Sequence, residues 1–344
     1  MHKLFDMTDK HFTEMGKEES ISALYEGTGF SRTRNCCARP QETNNVISAS
    51  RLFQEGIDFD LVYFPLKHLG YKCVVAVTGE LYAFLSHPSS LNVVLGISAK
   101  LGYSHIQELW SGMVAAAKEH GYAQVSLDLV PCRNGLSVSV SSTGLRSLLT
   151  SKRIPAAKSK DLICVSGSLG AAYMGMRVLE REKKGFDGNG TPDHKSLETY
   201  KMLVGSYLRP ELDSATVSAL EKAEIYPSYG AFVTNGLSDS IKRLSVMTGL
   251  GAKIYAEKIP FEGNSFQLGK EINVDPISAA MNGGDDFRLL FTVPILSLEK
   301  FRRDFQTFDI IGHLALPEAG TTLVTPEGVE LPLKAQGWKE DKEQ

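Results

Sequence analysis

Gly283-Gly284-Asp285-Asp286-Phe287-Arg288-Leu289-Leu290-Phe291-Thr292-Val293 sets two adjacent carboxylates between a diglycine and a strongly apolar strand. Glycine lets a backbone approach a ligand closely. A buried strand behind such a turn fixes the acids in space while the loop carries the chemistry. The plainer alternative is a polar turn ahead of a strand, and the residues alone leave both open.

Working outward, 344 residues exceed what one compact core holds, so two domains are expected. Apolar residues at 42% and charged residues at 22% describe an ordinary globular chain. A net charge of -3 offers no basic footprint for nucleic acid and no cationic face for a membrane. The start, Met1-His2-Lys3-Leu4-Phe5-Asp6, lacks the apolar stretch of a signal peptide. No apolar run approaches the roughly 20 residues that cross a bilayer. Five cysteines, with no His or second Cys pair at ligand spacing, read as reduced thiols of a cytoplasmic protein. The pair Cys36-Cys37 reads as ordinary packing.

Residues 1–20 are charged and patternless, a frayed tail. Val46 to Ser50 predicts a strand. Pro65 stands where helices start, with Leu66, Leu69, Cys73, Ala76 and Val77 at helical spacing behind it. A strand over Leu91–Ile97 precedes a helix from Ser104 to Gly121, and strands follow over Gln124–Val130 and Leu136–Ser142. The Lys-, Ser- and Ala-rich stretch Thr150 to Lys160 marks a junction between an α/β unit at 21–150 and another at 151–344. Asp161 to Val165 opens the second unit as a buried strand, and Gly167 to Gly170 turns it into a helix over Ala171–Lys184. A helix from about Gly236 and a hairpin around Pro326-Glu327-Gly328 complete the pattern.

The block at 283–293 resembles the Gly-Gly-Glu-Asp-Tyr-Glu-Leu-Leu-Phe-Thr signature of thiamine-monophosphate kinases, of the aminoimidazole ribonucleotide synthase superfamily. Gln54 to Asp60 is similar to that family's Met-Glu-Gly-Ile-His-Phe-Asp. Pro65-Leu66-Lys67-His68-Leu69-Gly70-Tyr71-Lys72 matches its Pro-Leu-Lys-His-Leu-Gly-Tyr-Lys. Asp161 to Tyr173 and Ala335-Gln336-Gly337-Trp338 add two further blocks in the right order. The resemblance implies an α/β (α+β) fold of two domains, a homodimer whose first domains pair into a β-barrel, and a cleft between the domains for ATP and thiamine phosphate. The implied reaction is ATP-dependent phosphorylation of thiamine phosphate to thiamine diphosphate, with Mg2+.

Phosphoryl transfer needs metals to neutralise phosphate charge, and carboxylates to hold them. Matched to the family's acids, this chain departs in several loops. The family's Gly-Asp-Asp falls on Thr33-Arg34-Asn35, and the Asp ending its Thr-Thr-Asp strand falls on Arg51. Its Asp-Ile-Ser-Asp-Gly-Leu becomes Phe232-Val233-Thr234-Asn235-Gly236-Leu237. Glu80 and Asp128 keep carboxylates and are the candidate metal ligands. A like charge about 4 Å from an arginine costs on the order of 4 kcal/mol at an effective dielectric of 20, about doubled for a divalent ion. Arg34 and Arg51 instead attract phosphate directly. Arg34, Asn35, Arg51, Asn235, Gly167 and Gly170 are therefore the nucleotide- or phosphate-binding candidates. Asp58 (His in the family), Asp285, Asp286 and Trp338 are the substrate-side ones. Two functions are expected from this set. One is a kinase acting on thiamine phosphate or another small phosphorylated metabolite. The other is a non-catalytic relative that binds a phosphate-bearing ligand, or a partner such as an active paralogue.

Overall fold

A computed structural model describes residues 37–38, 45–187 and 194–338. The tail at 1–20 and Arg34, Asn35 and Cys36 lie outside them. Two sheets organise the described chain. The first has five strands in the order β1-β2-β5-β3-β4: β1 Cys37–Ala38, β2 Val46–Gln54, β3 His87–Ile97, β4 Gln124–Pro131 and β5 Leu136–Leu145. The second has seven, in the order β12-β11-β8-β10-β6-β9-β7: β6 Leu162–Ser166, β7 Tyr229–Val233, β8 Gly251–Tyr255, β9 Arg288–Val293, β10 Phe308–Ala315, β11 Thr321–Val324 and β12 Glu330–Pro332. Two-residue alternation puts Ile47, Ala49, Arg51 and Phe53 on one face of β2. Arg51 therefore points the same way as core residues.

Helix α1 (Leu66–Ala83) is buried along almost its whole length. It packs on α2 (Tyr103–Glu119), on β2 and β5 of the first sheet, and on β7 and β9 of the second. A helix that is apolar all round belongs inside, and α1 is the piece that both halves share. One apolar cluster runs without a break from Ile47 and Leu69 through Phe232 and Phe291. In the second half, α3 (Ala171–Asp187) packs on α4 (Lys201–Leu208), α5 (Leu237–Thr248) covers β7, and α6 (Pro276–Asn282) packs on α5 and α3. The junction expected at Thr150 to Lys160 is a short helix over Leu148–Arg153 and an extended run into β6. No helix among the described residues is long and apolar enough to cross a membrane.

Candidate functional site

The turn that follows β2, the amino ends of α3 and α5, and the loop before β9 meet around a cleft of about 440 Å³. Ile57, Tyr173, Met176 and Tyr207 form an apolar and aromatic wall. Arg51, Asp58, Asn235, Asp239, Arg243 and Asp285 form a polar one, and Gln336 and Gly337 close the side. The structure thus brings together Arg51, Asp58, Asn235 and Asp285 of the residues picked from sequence.

The diglycine loop is held in an unusual backbone. Gly284, Asp285 and Phe287 all have positive φ, at 82°, 61° and 49°. A side chain in that region is strained, so the surroundings must over-determine it. They do so: the Asp285 and Phe287 amides donate to the Thr234 and Val233 carbonyls at 2.8 and 2.9 Å, and Phe287 is fully buried. The result sends the two aspartates in opposite directions.

Asp285 faces the cleft, where Arg51 Nη2 lies 3.5 Å away and Lys72 Nζ 3.0 Å away. Lys72 comes from the middle of α1 and is 1% exposed. Its ammonium also donates to the Tyr207 carbonyl at 3.0 Å and lies 3.8 Å from the centre of the Tyr207 ring. Burial pulls the Lys72 pKa down from its ordinary value, and Asp285 opposes that. The Arg51 guanidinium sits over both Phe53 and Phe287, 5.1 and 5.3 Å from their ring centres. Arg51 is thus positioned by rings and Lys72 by a carbonyl and a ring, independently of the carboxylate between them.

Asp286 corrects an expectation. It is 4% exposed and turned from the cleft onto the start of α3, where the Gly170 and Ala172 amides donate to its carboxylate at 2.8 and 3.3 Å. Burial nevertheless raises its pKa to about 7. For the turn Gly167 to Gly170 the sequence allows a phosphate site at a helix amino terminus or a tight turn alone; its Gly170 amide is taken by the protein's own carboxylate.

The proposed metal pair separates in the same way. Asp128 stands on β4, exposed along its whole length, and its Oδ1 accepts from the Leu129 amide at 2.9 Å. Glu80, near the end of α1, lines a small cavity of about 30 Å³ behind the cleft, together with Asn235, Asp239 and Arg243. Burial raises the Glu80 pKa to about 7, against the pull of Arg51 and Arg243. Among the described residues no three His, Cys, Asp or Glu gather as cation ligands.

The remaining acids are engaged. Asp58 accepts from the Gln54 amide at 2.8 Å, and burial raises its pKa despite that bond. Asp239, absent from the sequence-derived set, accepts from Arg243 Nε at 2.9 Å, Asn235 Nδ2 at 3.3 Å and Trp338 Nε1 at 2.8 Å. Trp338 therefore pins the tail whose Gln336 and Gly337 edge the cleft, and the indole itself is not among the lining groups. Phe232, where the family has an acid, is 3% exposed, 5.6 Å from the Phe287 ring and flat over Gly79 of α1. Lys72, Asp239 and Arg243 were missed from sequence. The first left a trace, a lysine immediately ahead of the apolar run Cys73-Val74-Val75-Ala76-Val77; the pair on α5 left only its four-residue spacing.

No family model matches the chain. Thiamine-monophosphate kinase from Aquifex aeolicus is 22% identical over 253 residues, 73% of this chain and 77% of that protein. The crystal structure of thiamine monophosphate kinase from Aquifex aeolicus superposes with a TM-score of 0.77 at 20% identity, covering 94% of this chain and all of that one (100%). A structure described as AaThiL complexed with AMPPCP and TMP gives 0.76 at 20% identity, covering 97% of this chain and 99% of that one. Sequence likeness and fold converge, and the chain is a divergent relative of the thiamine-monophosphate kinases.

Proposed function

We propose that the cleft binds a phosphate-bearing small molecule through arginine rather than through magnesium. On this reading the relatives' reaction, ATP-dependent phosphorylation of thiamine phosphate to thiamine diphosphate, is impaired or lost here. The observation that carries the reading is Arg51, a fixed cation on the cleft wall at a position where the family signature has a carboxylate. The acids around it do not fit a magnesium site. Mg2+ takes near-octahedral oxygen ligands and parts with water reluctantly, so it needs carboxylates that are ionised and uncommitted. Asp285 is bound to Arg51 and Lys72, and Asp239 accepts three donors. Burial raises the Glu80 pKa, which disfavours the charged form a cation needs. An arginine, by contrast, offers a planar fork of donors that suits phosphate without a metal. The aromatic wall opposite supports a ligand with a flat ring beyond its anionic group.

Titration calorimetry with thiamine phosphate, ATP and ADP, in magnesium and in chelator, tests this. Affinity for whichever of them binds is expected to agree within about twofold in the two buffers, and to fall at least tenfold in Arg51→Gln, the loss of about one charged hydrogen bond. Thiamine diphosphate formation is expected at no more than about one-thousandth of the 1 s⁻¹ at the low end of ordinary enzymes. Binding that strictly requires magnesium, or turnover near 1 s⁻¹, overturns the proposal.

The same reading includes a homodimer through the first sheet. Val125, Leu127, Leu129 and Val130 of edge strand β4 are 39%, 39%, 52% and 40% exposed. A long apolar edge strand left uncovered invites pairing with another chain. Sedimentation at micromolar concentration is expected to give twice the chain mass, and a monomer there removes the dimer from the proposal.

A further inference from the structure

We infer that Arg51 and Lys72 form a seat for a compact dianion, and that Asp285 is its built-in occupant, which a ligand phosphoryl group must displace. The inference rests on the proposed anion-binding cleft and deepens it. Three observations carry it. First, both cations are supported without Asp285: Arg51 by the Phe53 and Phe287 rings, Lys72 by the Tyr207 carbonyl and ring. They stay aimed at one point if the carboxylate leaves. Second, the carboxylate lies on the cleft side of that point: the Asp285 side chain is 25% exposed and lines the cleft, whereas Lys72 is sealed behind it. Third, the Asp285 backbone is pinned to Thr234 by its amide at 2.8 Å in a positive-φ conformation. Rotation about the side-chain bonds therefore moves the carboxylate toward open space without moving the loop.

Asp285 sets one charge against the two cations it bridges, and Asp58, the other carboxylate within electrostatic reach of both, is disfavoured in its charged form by burial. A phosphate dianion answers both charges and has an oxygen for each. The seat thus discriminates by charge: monoanions compete poorly with Asp285, and dianionic phosphate monoesters compete well. A buried lysine without a counter-ion is costly, so the occupant also preserves the fold while no ligand is bound. This role is opposite to that of an acid that contacts substrate. Neutralising a contact weakens binding, whereas neutralising an occupant strengthens it.

The test uses inorganic phosphate as probe, at ionic strength matched with chloride, on the full-length chain. D285N is expected to bind phosphate at least tenfold more tightly than the wild type, and to regain in phosphate the thermal stability it lacks in chloride. The double variant K72M/D285N is expected to lose that gain, and R51Q to abolish binding. Phosphate binding that R51Q abolishes but D285N leaves unchanged or weakens overturns the inference while keeping the cleft reading. No binding by any variant overturns both. A wild-type crystal grown in phosphate is a readout that needs no variant to fold. Phosphate on the Arg51 guanidinium, with the Asp285 carboxylate turned to solvent, is expected. Phosphate bound in the cleft with Asp285 still on Lys72 overturns the inference.

Discussion

Phe232→Asp, which restores the acid found at this place in the family signature, is expected to destabilise the protein by about 4 kcal/mol or more and to restore no magnesium dependence. The magnitude follows from what the ring does. Phe232 is 3% exposed in β7, beside Phe287, and three of its ring atoms would lie 2.2–2.3 Å from a Cβ placed on Gly79. Removing a buried phenyl ring leaves a void, and that alone costs about 3–5 kcal/mol. A carboxylate at the same point adds the loss of hydration on burial. Phe232→Leu separates the two effects: it keeps an apolar filler and is expected to lose about 1 kcal/mol. Chemical denaturation of both variants, followed by far-UV circular dichroism, reads the difference directly. A loss below about 1 kcal/mol for the aspartate would mean that the ring is not part of the core, and that the missing acid is a reversible surface change. The expected outcome has a bearing on function. The departure from the family's acids is built into the packing between α1 and the second sheet, so single reversions do not rebuild a metal site.

How much of this was legible beforehand depends on the range of the interaction. Period-two alternation in Leu136-Ser137-Val138-Ser139-Val140 gave β5 its buried face, because neighbours on one strand decide that pattern. The apolar run behind the diglycine gave β9, and Pro65 gave the start of α1. The site was legible where a residue type is incompatible with a role wherever it points, as with arginine at 51 or phenylalanine at 232. It was illegible where direction decides. Asp285 and Asp286 are chemically alike and adjacent, yet one faces the cleft and one caps α3. Three positive-φ residues in the loop produce that split, and no periodicity encodes them. Asp239 and Trp338 are 99 residues apart, and only the folded chain places the indole on the carboxylate.

Gly112→Ala is expected to lose about 2 kcal/mol, although helix propensity alone predicts the opposite sign. Gly112 lies within α2, where alanine in place of glycine gains about 1 kcal/mol by restricting the unfolded chain. The crossing with α1 reverses that. A Cβ on Gly112 would meet the Lys67 carbonyl oxygen at 1.9 Å, and one on Gly70 of α1 would meet the Leu109 carbonyl oxygen at 2.0 Å. Both contacts are with backbone, which cannot rotate aside, so the helices must part. Overpacking of this kind costs about 3 kcal/mol, and steric cost outweighs propensity. The two glycines face one another across a single crossing, which makes a second expectation available. Gly70→Ala alone is expected to resemble Gly112→Ala, while the double variant loses clearly less than the sum, because helices already separated by one methyl make room for the other. Full additivity would show two independent local clashes and no movement of α1. Movement matters for the cleft, since α1 carries Lys72 two residues beyond Gly70. A shift of that helix draws the buried ammonium from Asp285 and the Tyr207 carbonyl, so phosphate affinity is expected to fall in step with stability in each of these variants.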